Sequence, residues 1–255
     1  MNAIIYGPVS SWRLGRSLGI DLISTSEKTC SFDCIYCQLG VTIHPTEERI
    51  EFITIDRVIE EISKLGEPDI DYTTFSGMGE PTLANNLGMS INLIRSILEL
   101  PVAVLTNSSL LFREEVRQDL ANADLVIAKL DAHNQAMFNL INRPVFDLSF
   151  TRMLEGIKKF RSSYNGKFAL QIMFINANKK YASEIAALVK ELHPDEVQIN
   201  TPLRPCRVNH LSPEEISQIK RQFDGFRNVF TVYEAKKPNV VPFNLRETVR
   251  RRPKL

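Results

Sequence analysis

The chain has 255 residues, of which 44% are hydrophobic and 24% are charged. These fractions are those of an ordinary folded domain, and they exclude a disordered chain, a coiled coil and a collagen-like repeat. Lys and Arg number 31 and Asp and Glu number 30, so the total charge does not indicate a nucleic-acid partner. Four cysteines are too few for a secreted scaffold held together by disulfides.

The amino-terminal segment has no basic region, and Pro8 interrupts its short apolar stretch before a signal sequence could form. No run approaches the roughly 18 apolar residues that a membrane-spanning helix needs. We therefore expect a cytoplasmic protein without membrane attachment. Cytosolic thiols stay reduced, so clustered cysteines are better explained as metal ligands or redox groups than as disulfides.

Strand and helix patterns alternate between residue 18 and about residue 200. The predicted strands are 18–24, 72–76, 102–106, 125–130, 168–175 and 196–200, and the predicted helices are 55–65, 87–100, 112–121, 149–162 and 185–192. In two of these helices the apolar residues recur at offsets of three, four and seven. Such alternation predicts an α/β fold of parallel strands, either a partial barrel or a doubly wound sheet. Both place the ligand site at the carboxyl ends of the strands.

The pattern changes after residue 200. Ser212 begins a capping box with Pro213 at the first helical position and Glu215 at the third, which predicts a helix. A short strand is expected at 230–233. We divide the chain into a lead-in (1–17), a core (18–205) and an extension (206–255).

The extension ends in a basic tail. Residues 236–255 hold seven Lys or Arg and one Glu, a balance of 7 − 1 = +6, so the rest of the chain carries 24 − 29 = −5. One interpretation is a solvated, partly disordered terminus. The other is an electrostatic hook for a polyanion such as RNA.

Three cysteines lie close together directly after the first predicted strand, with the spacing C-x3-C-x2-C: Cys30, Cys34 and Cys37. A structural zinc site would need a fourth ligand, either His44 or Cys206. A [4Fe-4S] cluster is usually held by four cysteines, and with three it has one iron open to a non-protein ligand. The residues alone leave both alternatives open.

A second motif follows the second predicted strand, where Gly77, Met78, Gly79 and Glu80 precede a proline. Glycines allow the backbone to approach a small ligand closely. A carboxylate at this place can pair with an ammonium group.

Together, the cysteine loop and the Gly-Met-Gly-Glu-Pro motif resemble the signature of the radical S-adenosylmethionine (SAM) superfamily. The resemblance implies a partial (βα)6 TIM-type barrel with short extensions at both ends. It implies that Cys30, Cys34 and Cys37 bind a [4Fe-4S] cluster whose open iron chelates SAM. Reduction by a flavodoxin or ferredoxin would cleave SAM to a 5′-deoxyadenosyl radical.

The resemblance also assigns residues to SAM. Tyr36 occupies the aromatic position that packs on adenine, and Glu80 would pair with the methionine ammonium. The remaining implied SAM-binding residues lie at strand ends: Gly77, Gly79, Thr106, Asn107, Asp131 and Asn200.

Five polar residues need a separate interpretation. Lys129 and Asp131 share strand parity, so they form either an ion pair or part of the site. Gln171 lies in an apolar strand and is expected to be a satisfied core amide. Arg13 and Arg16 either face the mouth of the barrel or serve the structure of the lead-in.

Residues 130–133 and 141–144 resemble a stretch of the tRNA-4-demethylwyosine synthase branch, whose enzymes condense pyruvate carbons onto N-methylguanosine in tRNA. Those enzymes carry additional amino-terminal cysteines for a second cluster. This sequence has none before Cys30, so we do not expect the pyruvate chemistry.

Cys206 is either a free thiol or a catalytic residue that donates a hydrogen atom or accepts a methyl group. Our leading hypothesis is a radical SAM enzyme whose substrate is an RNA (tRNA) base, bound with help from the basic tail. One alternative is a radical SAM enzyme acting on a small metabolite or peptide. Another is a non-catalytic iron–sulfur or zinc protein.

Overall fold

Strands and helices alternate along most of the chain in the computed structural model, which describes residues 2–66 and 69–253. The strands are β1 (Ile5–Ser11), β2 (Gly15–Ile20), β3 (Thr29–Cys30), β4 (His44–Pro45), β5 (Tyr72–Phe75), β6 (Val102–Thr106), β7 (Leu125–Lys129), β8 (Lys167–Met173), β9 (Glu196–Asn200) and β10 (Val229–Thr231). The helices are α1 (Ile55–Ile62), α2 (Leu87–Leu98), α3 (Glu114–Leu120), α4 (Gln135–Ile141), α5 (Phe150–Ser163), α6 (Ala182–Leu192), α7 (Pro213–Lys220) and α8 (Leu245–Arg251).

Eight of these strands form one curled sheet in the order β1-β2-β5-β6-β7-β8-β9-β10. β1 runs antiparallel to β2, and every later pair of neighbours in this sheet is parallel. The sheet is a half-barrel with helices, so the predicted α/β partial TIM-type barrel is confirmed. The predicted capping box also forms, with Ser212 and Glu215 bonding reciprocally at the start of α7.

No strand was predicted before residue 18, but the lead-in supplies β1 and the first residues of β2. The register between these strands shifts between Tyr6 and Val9. Gly7 and Pro8 therefore bulge out of the ladder, which is how a proline is accommodated in a strand. Our division of the chain at residues 17 and 205 stays a prediction, although strands from both flanking segments join the sheet.

The inner face of the half-barrel changes from apolar to polar along the strands. Five buried residues fill one end of the interior: Leu14, Ala103, Leu125, Ile127 and Ala169. Further along the same faces come Lys129 on β7, Gln171 on β8 and Asn200 on β9. Side chains of one parity share one face of a strand, so the polar groups gather at the carboxyl ends. A larger core lies between the sheet and the helices.

Part of the basic tail, Leu245–Arg251, is folded as helix α8. Helix α8 packs against β1, and Thr248 Oγ1 accepts a hydrogen bond of 2.9 Å from Gly7 N. Arg251 is only 1% exposed and donates to Asp21 Oδ2 at 2.7 Å and to Glu247 Oε2 at 2.6 Å. A solvated, disordered terminus is therefore wrong for the segment that forms α8, and the charge of Arg251 is neutralised internally. Lys254 lies outside the described residues.

Candidate active site

The cysteine loop is fixed at both of its ends by backbone hydrogen bonds. Before the first cysteine, Thr29 N donates to Met78 O at 3.0 Å, which ties the loop to the end of β5. Further along, Asp33 N donates to Arg143 O and Ile35 N to Ile141 O, both at 3.0 Å. The loop therefore lies between the carboxyl end of β5 and the end of α4.

The three thiols share one electrostatic environment. Burial raises the pKa of Cys30 to about 11 and that of Cys34 to about 12, and negative charge on the neighbouring thiols adds to both shifts. Burial would lower the pKa of Lys28, but Cys37, Cys30 and Cys34 raise it. Lys28 is 4% exposed, so a buried ammonium group lies near all three sulfurs.

Amide groups also reach two of the sulfurs. Asn107 Nδ2 lies 3.6 Å from Cys30 Sγ, and Asn142 Nδ2 lies 3.8 Å from Cys34 Sγ. Deprotonated thiols are the metal-binding form, and N–H groups and a nearby cation both favour negative sulfur. Hydrogen bonds to cluster sulfurs are also a recognised feature of iron–sulfur proteins.

The donor set fits a cluster held by three cysteines. Among residues 2–66 and 69–253, no three His, Cys, Asp or Glu side chains are close enough to hold one metal ion together. A [4Fe-4S] cluster makes a different demand, because each of its thiolates binds a different iron. Cys30, Cys34 and Cys37 would hold it, with Lys28 offsetting part of its negative charge.

The two glycines of the Gly-Met-Gly-Glu motif are required by close contacts. A Cβ at Gly79 would lie 1.6 Å from Thr29 O, and Thr29 and Gly79 form a parallel bridge. A Cβ at Gly77 would lie 2.0 Å from the carboxylate carbon of Asp21. Gly79 thus brings the cysteine loop against the end of β5, a structural reason for glycine that does not involve a ligand.

Glu80 is buried and crosslinks the ends of two strands. Its Oε1 accepts hydrogen bonds from Thr82 N at 3.1 Å, Thr82 Oγ1 at 2.7 Å and Thr106 Oγ1 at 2.7 Å. Its Oε2 accepts from Asn107 N at 2.6 Å. Burial raises the pKa of Glu80, and these hydrogen bonds oppose that shift. Through this carboxylate, Thr106 and Asn107 are held in place beside Cys30.

Asp131 organises a second buried network. Its Oδ2 accepts hydrogen bonds from the Tyr36 hydroxyl and from Asn142 Nδ2, the latter at 2.8 Å, while Oδ1 accepts from Met173 N at 2.7 Å. Burial raises the pKa of Tyr36 well above its ordinary value, and the Asp131 charge adds to the shift. Lys129 Nζ lies 3.7 Å from Asp131 Oδ1 and 4.5 Å from the centre of the Tyr36 ring. The predicted ion pair between Lys129 and Asp131 is confirmed. The hydrogen bond from the Tyr36 hydroxyl to Asp131 and the Lys129 ammonium group over the ring fix the orientation of Tyr36.

A cavity of about 550 Å³ opens at the carboxyl ends of the strands, within the size range of small-molecule sites. It brings together four predicted site residues from three separate segments: Tyr36 and Cys37 of the cysteine loop, Gly77 after β5, and Asn200 at the end of β9. The other predicted residues near the site do not line it: Cys30, Cys34, Gly79, Glu80, Thr106, Asn107 and Asp131. Of these, Asp131 and Cys34 contact lining residues directly, Asp131 through the Tyr36 hydroxyl and Met173 N and Cys34 through Cys37 N.

Gln171 differs from its prediction as a satisfied core amide. It lines the cavity, and its buried Nε2 has no hydrogen-bond partner among the described residues. Its Oε1 accepts a hydrogen bond of 3.4 Å from Lys129 Nζ. The side chain is thus satisfied at one end, and its free donor is available to a ligand.

Cys206 and the two lead-in arginines have different positions. Cys206 does not line the cavity, and its Sγ donates to Val208 O at 3.1 Å. Its catalytic role stays a prediction. Arg16 pairs with Asp71 at 2.7 Å outside the cavity, whereas Arg13 lines it. Arg13 therefore faces the mouth of the barrel, whereas Arg16 serves the structure of the lead-in.

Sequence reasoning missed several residues that complete the site. Asn142 connects Cys34 with Asp131, and Asn178 Nδ2 donates to Asp131 O at 2.9 Å. Trp12, Arg204 and Arg252 line the cavity. The two asparagines are ordinary polar residues in the sequence, and only the fold brings them to Asp131.

The family model of the Radical SAM superfamily matches residues 28–189, and the chain belongs to this superfamily of enzymes. The UPF0026 protein MJ1312 of Methanocaldococcus jannaschii is 41% identical over 233 residues, or 89% of this chain and 72% of that protein. The GTP 3′,8-cyclase of Actinobacillus succinogenes is 25% identical over 167 residues, 64% of this chain and 47% of that enzyme. The crystal structure of a radical SAM methyltransferase from Sphaerobacter thermophilus aligns with a TM-score of 0.64 at 14% identity, over 84% of this chain and 65% of its own.

The similarity to the UPF0026 protein MJ1312 extends over 89% of this chain, while the match to solved structures concerns the fold. The wyosine-synthase branch inferred from residues 130–144 stays a prediction. Within the described residues, no helix is long and apolar enough to cross a membrane.

Proposed function

We propose that this protein holds a [4Fe-4S] cluster on Cys30, Cys34 and Cys37, binds SAM in the adjoining cavity and cleaves it reductively. The observation that supports this most strongly is the convergence of Cys37, Tyr36, Gly77 and Asn200 on one cavity. These residues come from three separate segments, the cysteine loop and the ends of β5 and β9, and the family resemblance assigns every one of them to the cluster or to SAM.

When bound, the cluster supplies one electron to SAM, whose cleavage yields a 5′-deoxyadenosyl radical that abstracts hydrogen from the substrate. The chain's own residues position the reactants. Asp131 holds the Tyr36 hydroxyl, so the aromatic ring keeps one orientation at the cavity wall and is placed to stack on adenine. Gln171 Nε2 and Asn200 are placed to bind polar groups of SAM.

Glu80 acts on the site through its neighbours in this proposal. Because its oxygens already accept four hydrogen bonds, it positions Asn107, which in turn donates toward Cys30. Direct pairing of Glu80 with the SAM ammonium stays a prediction. A flavodoxin or ferredoxin is the proposed electron donor.

We propose that the substrate is a nucleotide. The first candidate is a nucleotide within RNA, with a tRNA base as the reacting part. The basic tail supports an anionic substrate, because Lys237 and Arg252 line the cavity. A relative that acts on GTP by its name, the GTP 3′,8-cyclase, favours a small phosphorylated metabolite as the second candidate.

The test is anaerobic reconstitution of the full chain with iron and sulfide, followed by SAM and dithionite. We expect about four irons per chain and formation of 5′-deoxyadenosine, with both lost in Cys34→Ala. Cys206→Ser, as the matched control, keeps its iron content. A protein that binds zinc without visible absorption would refute the proposal, as would an iron–sulfur protein that leaves SAM intact.

Substrate candidates are separated by supplying tRNA or nucleotides to the reconstituted protein. Turnover of a tRNA base supports the first candidate, and turnover of a free nucleotide supports the second. A peptide substrate would contradict both.

A further inference from the structure

The cavity is lined by five basic residues: Arg13, Arg204, Lys237, Arg251 and Arg252. No Asp or Glu of the described part of the chain lines it. The ion pairs of Arg251 with Asp21 and Glu247 satisfy its charge. The other three arginines, which we call the arginine cluster (Arg13, Arg204 and Arg252), form no ion pair with a carboxylate of residues 2–66 and 69–253.

The arginine cluster is assembled from three distant segments. Arg13 lies in the turn between β1 and β2, with its guanidinium 4.9 Å from the Trp12 ring centre. Arg204 follows β9, and its Nη1 donates to Arg252 O at 3.1 Å and to Pro253 O at 2.9 Å. Arg252 directly follows α8. The Arg13 side chain is therefore held in the cavity by packing on Trp12, and that of Arg204 by backbone carbonyls.

Like charges are crowded here. Burial, followed by the charges of Arg252 and Arg204, lowers the pKa of Arg13 to about 9. Burial and Arg252 lower the pKa of Arg204 to about 10. Guanidinium groups stay protonated in proteins, so the cavity lining concentrates positive charge at a cost in free energy. In addition, Arg13 Nε is shielded from solvent and has no hydrogen-bond partner among the described residues.

An anion would satisfy all of these groups at once. Guanidinium groups bind phosphate through paired, charge-assisted hydrogen bonds. Three converging guanidiniums match the roughly −1.5 to −2 charge of a phosphate monoester, or the summed charge of neighbouring singly charged phosphates in an RNA backbone, better than the single charge of a carboxylate. The cluster lies in the same cavity as Tyr36 and Cys37, where the proposed chemistry takes place.

We infer that the arginine cluster binds a phosphate group of the substrate. That the bound ligand is the substrate rests on the proposed function. The phosphate site itself does not depend on the radical chemistry. The phosphate comes either from a free phosphorylated compound or from an RNA backbone. In both cases the arginine cluster anchors the phosphate, while the reacting part of the ligand faces Tyr36 and Cys37.

The test is calorimetric titration of the full chain as purified, without SAM or reductant, using tripolyphosphate and a short single-stranded RNA as probes. We expect Arg204→Gln and Arg13→Gln each to weaken probe binding by about tenfold or more, because each removes a charge-assisted hydrogen bond. The matched control is Arg207→Gln, an exposed arginine outside the cavity lining, which should change affinity less than about twofold.

Each outcome decides the inference. Tripolyphosphate binding that both cluster variants weaken supports a free phosphorylated ligand, and RNA binding alone with the same sensitivity supports an RNA phosphate. Failure of both probes to bind would overturn the inference, as would binding that both variants retain. Thermal unfolding of the variants shows whether they fold. Because this binding assay requires neither the [4Fe-4S] cluster nor SAM, loss of SAM cleavage and loss of phosphate binding are separate results.

Discussion

Replacing Arg251 by methionine tests how the carboxyl-terminal helix is attached to the site. Arg251 donates hydrogen bonds to Asp21 Oδ2, Glu247 Oε2, Ala3 O at 2.8 Å and Ser24 Oγ at 2.9 Å. Asp21 in turn accepts from Met78 N at 3.1 Å, inside the Gly-Met-Gly-Glu motif. The guanidinium thus links α8, the amino-terminal segment and the Gly-Met-Gly-Glu motif.

The expected cost follows from the burial of both charges. Removing one partner of a buried ion pair costs roughly 3–5 kcal/mol, because the other charge is left without compensation. Asp21 would keep three backbone donors, Ile23 N, Ser24 N and Met78 N, so we expect the lower end, about 3 kcal/mol. For a chain of this size that corresponds to a fall in Tm of roughly 6–12 °C.

The assay is urea and thermal unfolding of Arg251→Met beside a control, Lys64→Met. Lys64 forms an exposed pair with Glu60 at 2.7 Å, and its loss should cost at most about 0.5 kcal/mol. The double variant Asp21→Asn with Arg251→Met should be less destabilised than the sum of the single variants, because the two side chains interact directly. A loss for Arg251→Met no larger than that of the control would refute the reasoning.

Three further substitutions test individual contacts. Gly79→Ala should reduce iron incorporation, because its Cβ would overlap Thr29 O and displace the cysteine loop. Gly225→Ala strains the backbone at a φ of +105° but meets no neighbouring atom, so this control should keep its iron, and equal iron contents would contradict this account. Tyr36→Phe should lower the free energy of unfolding by roughly 1–3 kcal/mol, since Asp131 loses a buried donor, and an unchanged urea midpoint would argue against that bond. Gln171→Leu should raise stability or leave it unchanged, because the buried Nε2 has no partner, while weakening SAM binding measured by calorimetry; a stable variant with unaltered SAM affinity would remove Gln171 from the site.

The central strands were predictable because their physics is local. Parallel strands covered on both faces appear as short apolar runs, and β5, β6, β7 and β9 fall within two residues of their predicted bounds. The first strand was not predictable, because Gly7 and Pro8 interrupt its pattern and only pairing with β2 stabilises the bulge. Helix α8 was missed for another reason: its basic composition resembles a solvated tail, and the buried partner of Arg251 lies 230 residues away at Asp21.

Part of the candidate site was likewise predictable from short sequence segments, and part of it depends on tertiary contacts. The cysteine loop and the glycine motif are short segments whose spacing carries the chemistry, so the sequence alone indicated them. The buried networks around Glu80 and Asp131 depend on tertiary contacts with Asn107 and Asn142. The arginine cluster combines residues near both ends of the chain and beyond β9, and its two nearest members in the sequence, Arg204 and Arg252, are 48 positions apart.

The most direct test of the central claim is the electron paramagnetic resonance spectrum of the reconstituted, dithionite-reduced protein, recorded without and with SAM. Three cysteines that leave one iron open predict a reduced [4Fe-4S] signal that changes when SAM is added. Cys206→Ser should give the same cluster signal. A reduced cluster whose spectrum SAM leaves unchanged, or a protein that shows no cluster signal after reconstitution, would contradict the account.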